Sequence, residues 1–74
     1  MDPLERARLV REFVTLFADR NFVSFDELSQ GLGVAREQLF SLKADFETAI
    51  RREDNTLNLT SRVDLDPPGW EISD

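Results

Sequence analysis

Seventy-four residues, 41% of them hydrophobic, make one small domain that can bury roughly 60% of its unfolded surface. The chain has no histidine and no cysteine, which excludes disulfides, thiolate zinc sites and imidazole catalysis. Its net charge of −6 is uneven, with −1 over residues 1–52 and −5 over residues 53–74, and an acidic end is poor material for neutralising phosphate.

The first helix is expected over residues 3–20. Asp2 can cap it, Pro3 suits its first position, Glu5 can reach back to the cap amide, and Asn21 can end it. Ala7, Val10, Phe13, Val14 and Phe17 fall at helical spacing and should face the core. Leu9 and Leu16 lie on a neighbouring flank, seven residues apart. They either widen the core stripe, the favoured reading, or form the seam of a homodimer. Arg6, Arg8, Arg11 and Arg20, interleaved with acids, read as a solvated face.

Asn21-Phe22-Val23 reads as an extended link or short strand. Ser24-Phe25-Asp26-Glu27 then forms a capping box, with Val23 and Leu28 placed as a hydrophobic staple, so a second helix is expected over residues 24–31. Gly33 falls where the following turn needs a positive φ, and Val34 should tuck beneath that turn. A third helix is expected over residues 35–51, because Leu39, Leu42, Phe46 and Ile50 form a helical stripe. A competing parse ends it near Asp45 and makes Thr48–Glu53 a strand.

Glu27-Leu28-Ser29-Gln30-Gly31-Leu32-Gly33-Val34-Ala35-Arg36-Glu37-Gln38-Leu39 resembles the helix-turn-helix superfamily, over about 20 residues. Two positions depart from its pattern. Ser29 replaces a small apolar residue, and Ala35 replaces a capping Ser or Thr, a loss of about 1 kcal/mol that Gln38 can offset by meeting the cap amide. Beyond Asp54, Leu57, Leu59, Val63 and Leu65 alternate with polar residues as a half-buried strand does. Asp66-Pro67-Pro68-Gly69 is a turn, and Trp70-Glu71-Ile72 is the returning strand. A hairpin over residues 56–73 after such helices resembles the winged-helix variant of the superfamily. The expected fold is therefore mainly α with a small β-hairpin, a three-helix helix-turn-helix core followed by a wing, in one domain over residues 1–74.

An enzyme is not expected, since Lys43 is the only lysine and no activated nucleophile can be assembled. No cofactor or metal is expected either, because Asp64-x-Asp66 lacks a ligand loop. The resemblance implies DNA association, in transcription regulation or another DNA transaction. By position, Arg36, Glu37, Gln38, Ser41 and Lys43 would face the major groove, and Arg51, Arg52 and Arg62 would meet phosphates. The alternative is protein docking by the same helix. Phe40 lies about 120° from the Leu39/Leu42/Phe46/Ile50 stripe, where a DNA reader shows a polar side chain. Phe40 then serves as anchor beside Glu37, with Trp70 as a docking residue unless it folds back on the core, and with the acidic end offered to a basic partner or mimicking the DNA backbone. No apolar run approaches the ~18 residues of a membrane span, so a soluble intracellular place, cytoplasm, nucleoid or nucleus, is expected by elimination.

Overall fold

Seven elements follow one another in the computed structural model, which describes residues 2–74. They are α1 (Pro3–Leu16), β1 (Phe22–Ser24), α2 (Phe25–Leu32), α3 (Arg36–Ser41), α4 (Lys43–Glu53), β2 (Asn58–Arg62) and β3 (Gly69–Ser73). The described residues thus form four helices and a three-stranded antiparallel sheet of order β1-β3-β2.

Helix α1 starts as expected, with the Asp2 carboxylate accepting the Leu4 amide at 2.9 Å and Pro3 in the first turn. Glu5 does not turn back to the cap; it meets Arg8 at 3.1 Å. The helix stops at Leu16 rather than Arg20. The amides of Phe17 and Ala18 bond to carbonyls three residues back, Val14 and Thr15, which tightens the last turn and swings the chain into β1. The buried face is also rotated from the expected one. Leu9, Phe13 and Phe17 are buried, whereas Ala7 is exposed and Val10 and Val14 are half-buried. Phe13 and Phe17 belong to both faces, so the rotation consists in Leu9 taking the full burial expected of Val10 and Val14, and a Leu removes more apolar surface from water than a Val. Leu9 is therefore a core residue and no dimer seam, and half-buried Leu16 packs on that core beside Gly31.

The extended link Phe22–Ser24 is the third strand of the sheet, pairing with β3 so that Val23 faces Trp70 across the ladder. Ser24 caps α2 by accepting the Glu27 amide at 3.2 Å, and the staple residues Val23 and Leu28 are both fully buried. Only half of the capping box forms, because the Glu27 carboxylate pairs with Arg20 instead. Gly33 closes the helix at φ 69°, its amide bonding to Ser29 O at 2.9 Å. The Ser29 hydroxyl donates to the Val34 carbonyl, so this polar residue locks the turn that an apolar one would only fill.

The expected third helix is broken at Leu42, which has φ −99° and ψ 0° and divides α3 from α4. No proline or glycine is involved. The Leu42 amide is shared between the carbonyls of Gln38 and Leu39, both at 3.1 Å, and the Ser41 hydroxyl bonds back to Gln38 O at 2.9 Å. Such back-bonding and amide sharing bend a helix axis. The stripe itself behaves as expected, with Leu39, Leu42, Phe46 and Ile50 all buried, and Thr48–Glu53 is helix rather than strand.

Trp70 sits at the centre of the core with no exposed surface. The rings of Phe13, Phe25, Phe40 and Phe46 approach it edge-on at 5.7 to 6.1 Å, and Phe13 stacks on Phe46 at 4.2 Å. Edge-to-face pairs of this kind add about 0.5–1.5 kcal/mol each beyond the area they bury. The indole N–H donates to the Ser61 hydroxyl at 3.1 Å across the β2-β3 ladder, so the one polar atom of the ring is satisfied. Trp70 as an exposed docking residue is thereby excluded. The expected strand alternation ends early: Leu59 is buried in β2, but Val63 and Leu65 stand exposed in the turn beyond it.

Candidate functional site

The candidate surface is α3 with what flanks it, and its residues are built from the glycine turn upward. Ala35 holds the cap position of α3 with extended backbone but offers no side-chain acceptor. Gln38 supplies the other half of the cap, its Oε1 accepting the Ala35 amide at 3.1 Å. The expected base reader Gln38 is thus already used as a helix cap. Ser41, another expected reader, is held by its bond to Gln38 O.

Arg36 leaves α3 backward, toward α2. Its Nη2 meets Asp26 Oδ1 at 2.7 Å, and its guanidinium lies 5.4 Å from the centroid of the Phe25 ring. Cation–π contacts of this kind contribute about 0.5–1 kcal/mol at exposed sites. Neither partner was legible in the sequence, because a ten-residue separation across a turn has no periodic signature. Glu37 is exposed on the same turn, and Lys43 lies past the break, half-buried as the first residue of α4.

The expected phosphate contacts divide in two. Arg51 donates to Leu57 O at 3.0 Å and Asn58 Oδ1 at 2.7 Å, tying α4 to the start of the hairpin. Glu47 adds a second tie by accepting the Leu59 amide at 3.0 Å. Arg62 is held between Asp64 at 2.8 Å and Glu71 at 3.0 Å. This pairing raises the Arg62 pKa and pulls the Asp64 carboxyl down to about 2, chiefly through its hydrogen bonds to Arg62. Arg52 differs, for it is exposed and lines a groove between α1 and α4 together with Arg6 and Arg11.

Phe40 keeps 49% of its surface exposed. Its inner edge meets Phe25 at 5.3 Å and Trp70 at 6.1 Å, so buried aromatic rings hold it from below while its outer face is open. Phe40 thus packs on the core and still shows half of its surface. The hairpin turn belongs to the same end of the molecule, because the Phe25 amide donates to Pro68 O at 3.0 Å. That turn carries exposed Val63, Leu65, Asp64 and Asp66, while exposed Asp26 follows Phe25 in α2 and exposed Glu37 lies one turn before Phe40 in α3.

Among the described residues no three carboxylates gather where a metal ion could be held, and no helix is long and apolar enough to cross a membrane. What the arrangement offers is a half-open aromatic ring with acids nearby, on a helix whose Arg36, Gln38 and Ser41 side chains are engaged in its own caps and pairs while Glu37 is exposed. No family model matches the chain, and neither does any curated protein or solved structure.

Proposed function

We propose that this chain is a non-catalytic binding module of winged-helix type that docks on a protein through α3, with Phe40 as its anchor and a basic surface as its counterpart. The order of helices, glycine turn and three-stranded sheet supports the winged-helix reading, with the β2-β3 hairpin as wing. The observation that carries the docking reading is Phe40, about half exposed and held on its inner edge by Phe25 and Trp70. A rigid aromatic side chain presented this way loses little entropy on binding, which is why aromatics dominate interface hot spots. Acids at Asp26, Glu37, Asp64 and Asp66 border the same end and would steer a basic partner toward it.

DNA association is the second reading, supported by the turn geometry and the exposed first residues of α3. Opening the Arg36–Asp26 pair would not prevent it, because exposed pairs are worth about 0–1 kcal/mol. The field would. A chain of net charge −6, with Asp26 and Glu37 beside Arg36, meets phosphate at a disadvantage that Arg36 alone does not offset.

One experiment separates the two. Phe40→Ala and Arg36→Ala are compared with the parent for partner capture and for binding to a mixed-sequence duplex across a salt series. Docking predicts that Phe40→Ala stays folded, with a melting temperature lowered by the two ring contacts it gives up, and loses the captured partner at temperatures well below that melting point, with no duplex binding at low salt. Duplex binding that falls steeply with salt and weakens in Arg36→Ala would establish the second reading instead.

A further inference from the structure

The apolar face of α1 is wider than the core needs, and what the core leaves over lines an open groove of about 560 Å³ between α1 and α4. Leu4, 80% exposed, stands at one end of it, and Ala7, Val10 and Ala49 form its floor. The rim is basic, with Arg6 and Arg11 from α1 and Arg52 from α4.

The state of these arginines is the informative part. The chain holds fifteen acids against nine bases, and elsewhere its arginines find partners: Arg8 with Glu5 and Glu12, Arg20 with Glu27, Arg36 with Asp26, Arg62 with Asp64 and Glu71. Around the groove the pattern lapses. Among the described residues neither Arg11 nor Arg52 has a carboxylate within ion-pair distance, and Arg6 meets Asp45 only at 3.9 Å. Three arginines with little or no carboxylate pairing thus surround this strip of leftover apolar helix surface.

We infer that the α1–α4 groove receives an acidic amphipathic helix of a partner protein, its apolar side chains on Leu4, Ala7, Val10 and Ala49 and its carboxylates on Arg6, Arg11 and Arg52. Two packed helices offer a third helix a ready seat, and the lining runs from Pro3 to Arg11 along α1, about 12 Å, or roughly two turns of a bound helix. A second copy of the chain is a poor occupant. A two-fold contact would set each groove's three arginines against the same three on its mate, with Asp45 as the sole lining acid. This site shares no residue with the Phe40 surface and stands or falls separately from the docking reading above.

The test uses an acetylated, amidated helical peptide with leucines at i, i+3, i+4 and i+7 and glutamates elsewhere, followed by fluorescence anisotropy and by amide shift mapping on the full chain. The expected result is binding that weakens with salt, perturbs Ala7, Val10, Ala49 and Arg52, and drops about tenfold or more in an Arg11→Glu/Arg52→Glu variant. Leu4→Asp should also weaken it, and because Leu4 is so exposed this variant keeps the parent melting temperature. Equal binding of the matched peptide with lysine in place of glutamate overturns the inference. So does insensitivity to the double reversal. A duplex DNA that binds at these residues while the peptide does not would assign the groove to nucleic acid, and a dimer in sedimentation that Leu4→Asp dissolves would assign it to a second copy. Either outcome also overturns it.

Discussion

Gly33 and Gly69 are required for opposite reasons, and the difference shows how single residues hold this fold. Gly33 has open space where a side chain would go but sits at φ 69°, which strains any residue with a Cβ. Gly69 has ordinary backbone, but a Cβ there would lie 2.2 Å from Val23 O and 2.6 Å from Ser24 Cα, because β3 passes directly against β1. Gly33→Ala should therefore cost about 1–2 kcal/mol, and Gly33→Asn less, since Asn tolerates the left-handed region. Gly69→Ala should cost about 1–3 kcal/mol or more through overpacking against backbone, and Gly69→Asn at least as much. Urea denaturation of the four variants checks this, and an Asn that rescues position 69 but not position 33 would reverse both assignments. The sequence made Gly33 legible, because a turn between two helical patterns asks for positive φ. It offered Gly69 only as a turn residue after two prolines, since strand contact across the molecule leaves no local mark. Trp70 illustrates the same limit: its burial follows from four phenylalanines closing on it from four helices, which no spacing encodes.

At the scale of elements, local devices decided where helices begin, and competition between side chains decided which face they bury. Asp2, Ser24 and Gln38 all cap as their positions imply, but the carboxylates meant to complete the first two boxes, Glu5 and Glu27, pair with arginines instead. The sheet was legible as a hairpin and an extended link. That the link joins the hairpin as a third strand was not, because pairing Val23 with Trp70, 47 residues on, is a tertiary event. The break at Leu42 was missed for another reason: a continuous apolar stripe runs through it, and only Ser41's back-bond and the shared Leu42 amide divide the helix. The cap of α3 remains half-made, with Gln38 in place but no side-chain acceptor at Ala35, where the Gln38 amide meets the Ala35 carbonyl at 3.0 Å instead. Ala35→Ser should complete it and stabilise the domain by about 1 kcal/mol, and Ser24→Ala should remove a similar amount. For a domain of this size each amounts to a shift of roughly 4–8 °C in melting temperature, upward for Ala35→Ser and downward for Ser24→Ala. A flat or downward response in Ala35→Ser would mean that α3 is strained at its start rather than merely uncapped.

Across the whole molecule the surplus of carboxylates sets how stability responds to acid. Asp64 is pulled from 3.8 to about 2 by Arg62, Glu27 is lowered chiefly by its hydrogen bond to Arg20, and Asp54 by its bonds to Thr56. A carboxyl whose folded pKa lies below its unfolded one binds fewer protons when folded. Its contribution is complete above the unfolded value and is lost as pH falls through the folded one. For Asp64 that window runs from pH 3.8 down to about 2. Melting temperature alone does not isolate it, because discharging the other acids relieves the self-repulsion of a chain with net charge −6 over the same range. The difference between the parent and Arg62→Gln narrows it to Arg62 and its two carboxylates, since both chains carry the same fifteen acids and differ by one positive charge. That difference should be steady from neutral pH to about pH 5, shrink through the window and become smallest near pH 2. If it instead stays constant through acid, Arg62 holds the hairpin by packing its stem against β3 and not by its charge. The strand ladder would then align β2 with β3 without an electrostatic lock from Asp64 or Glu71.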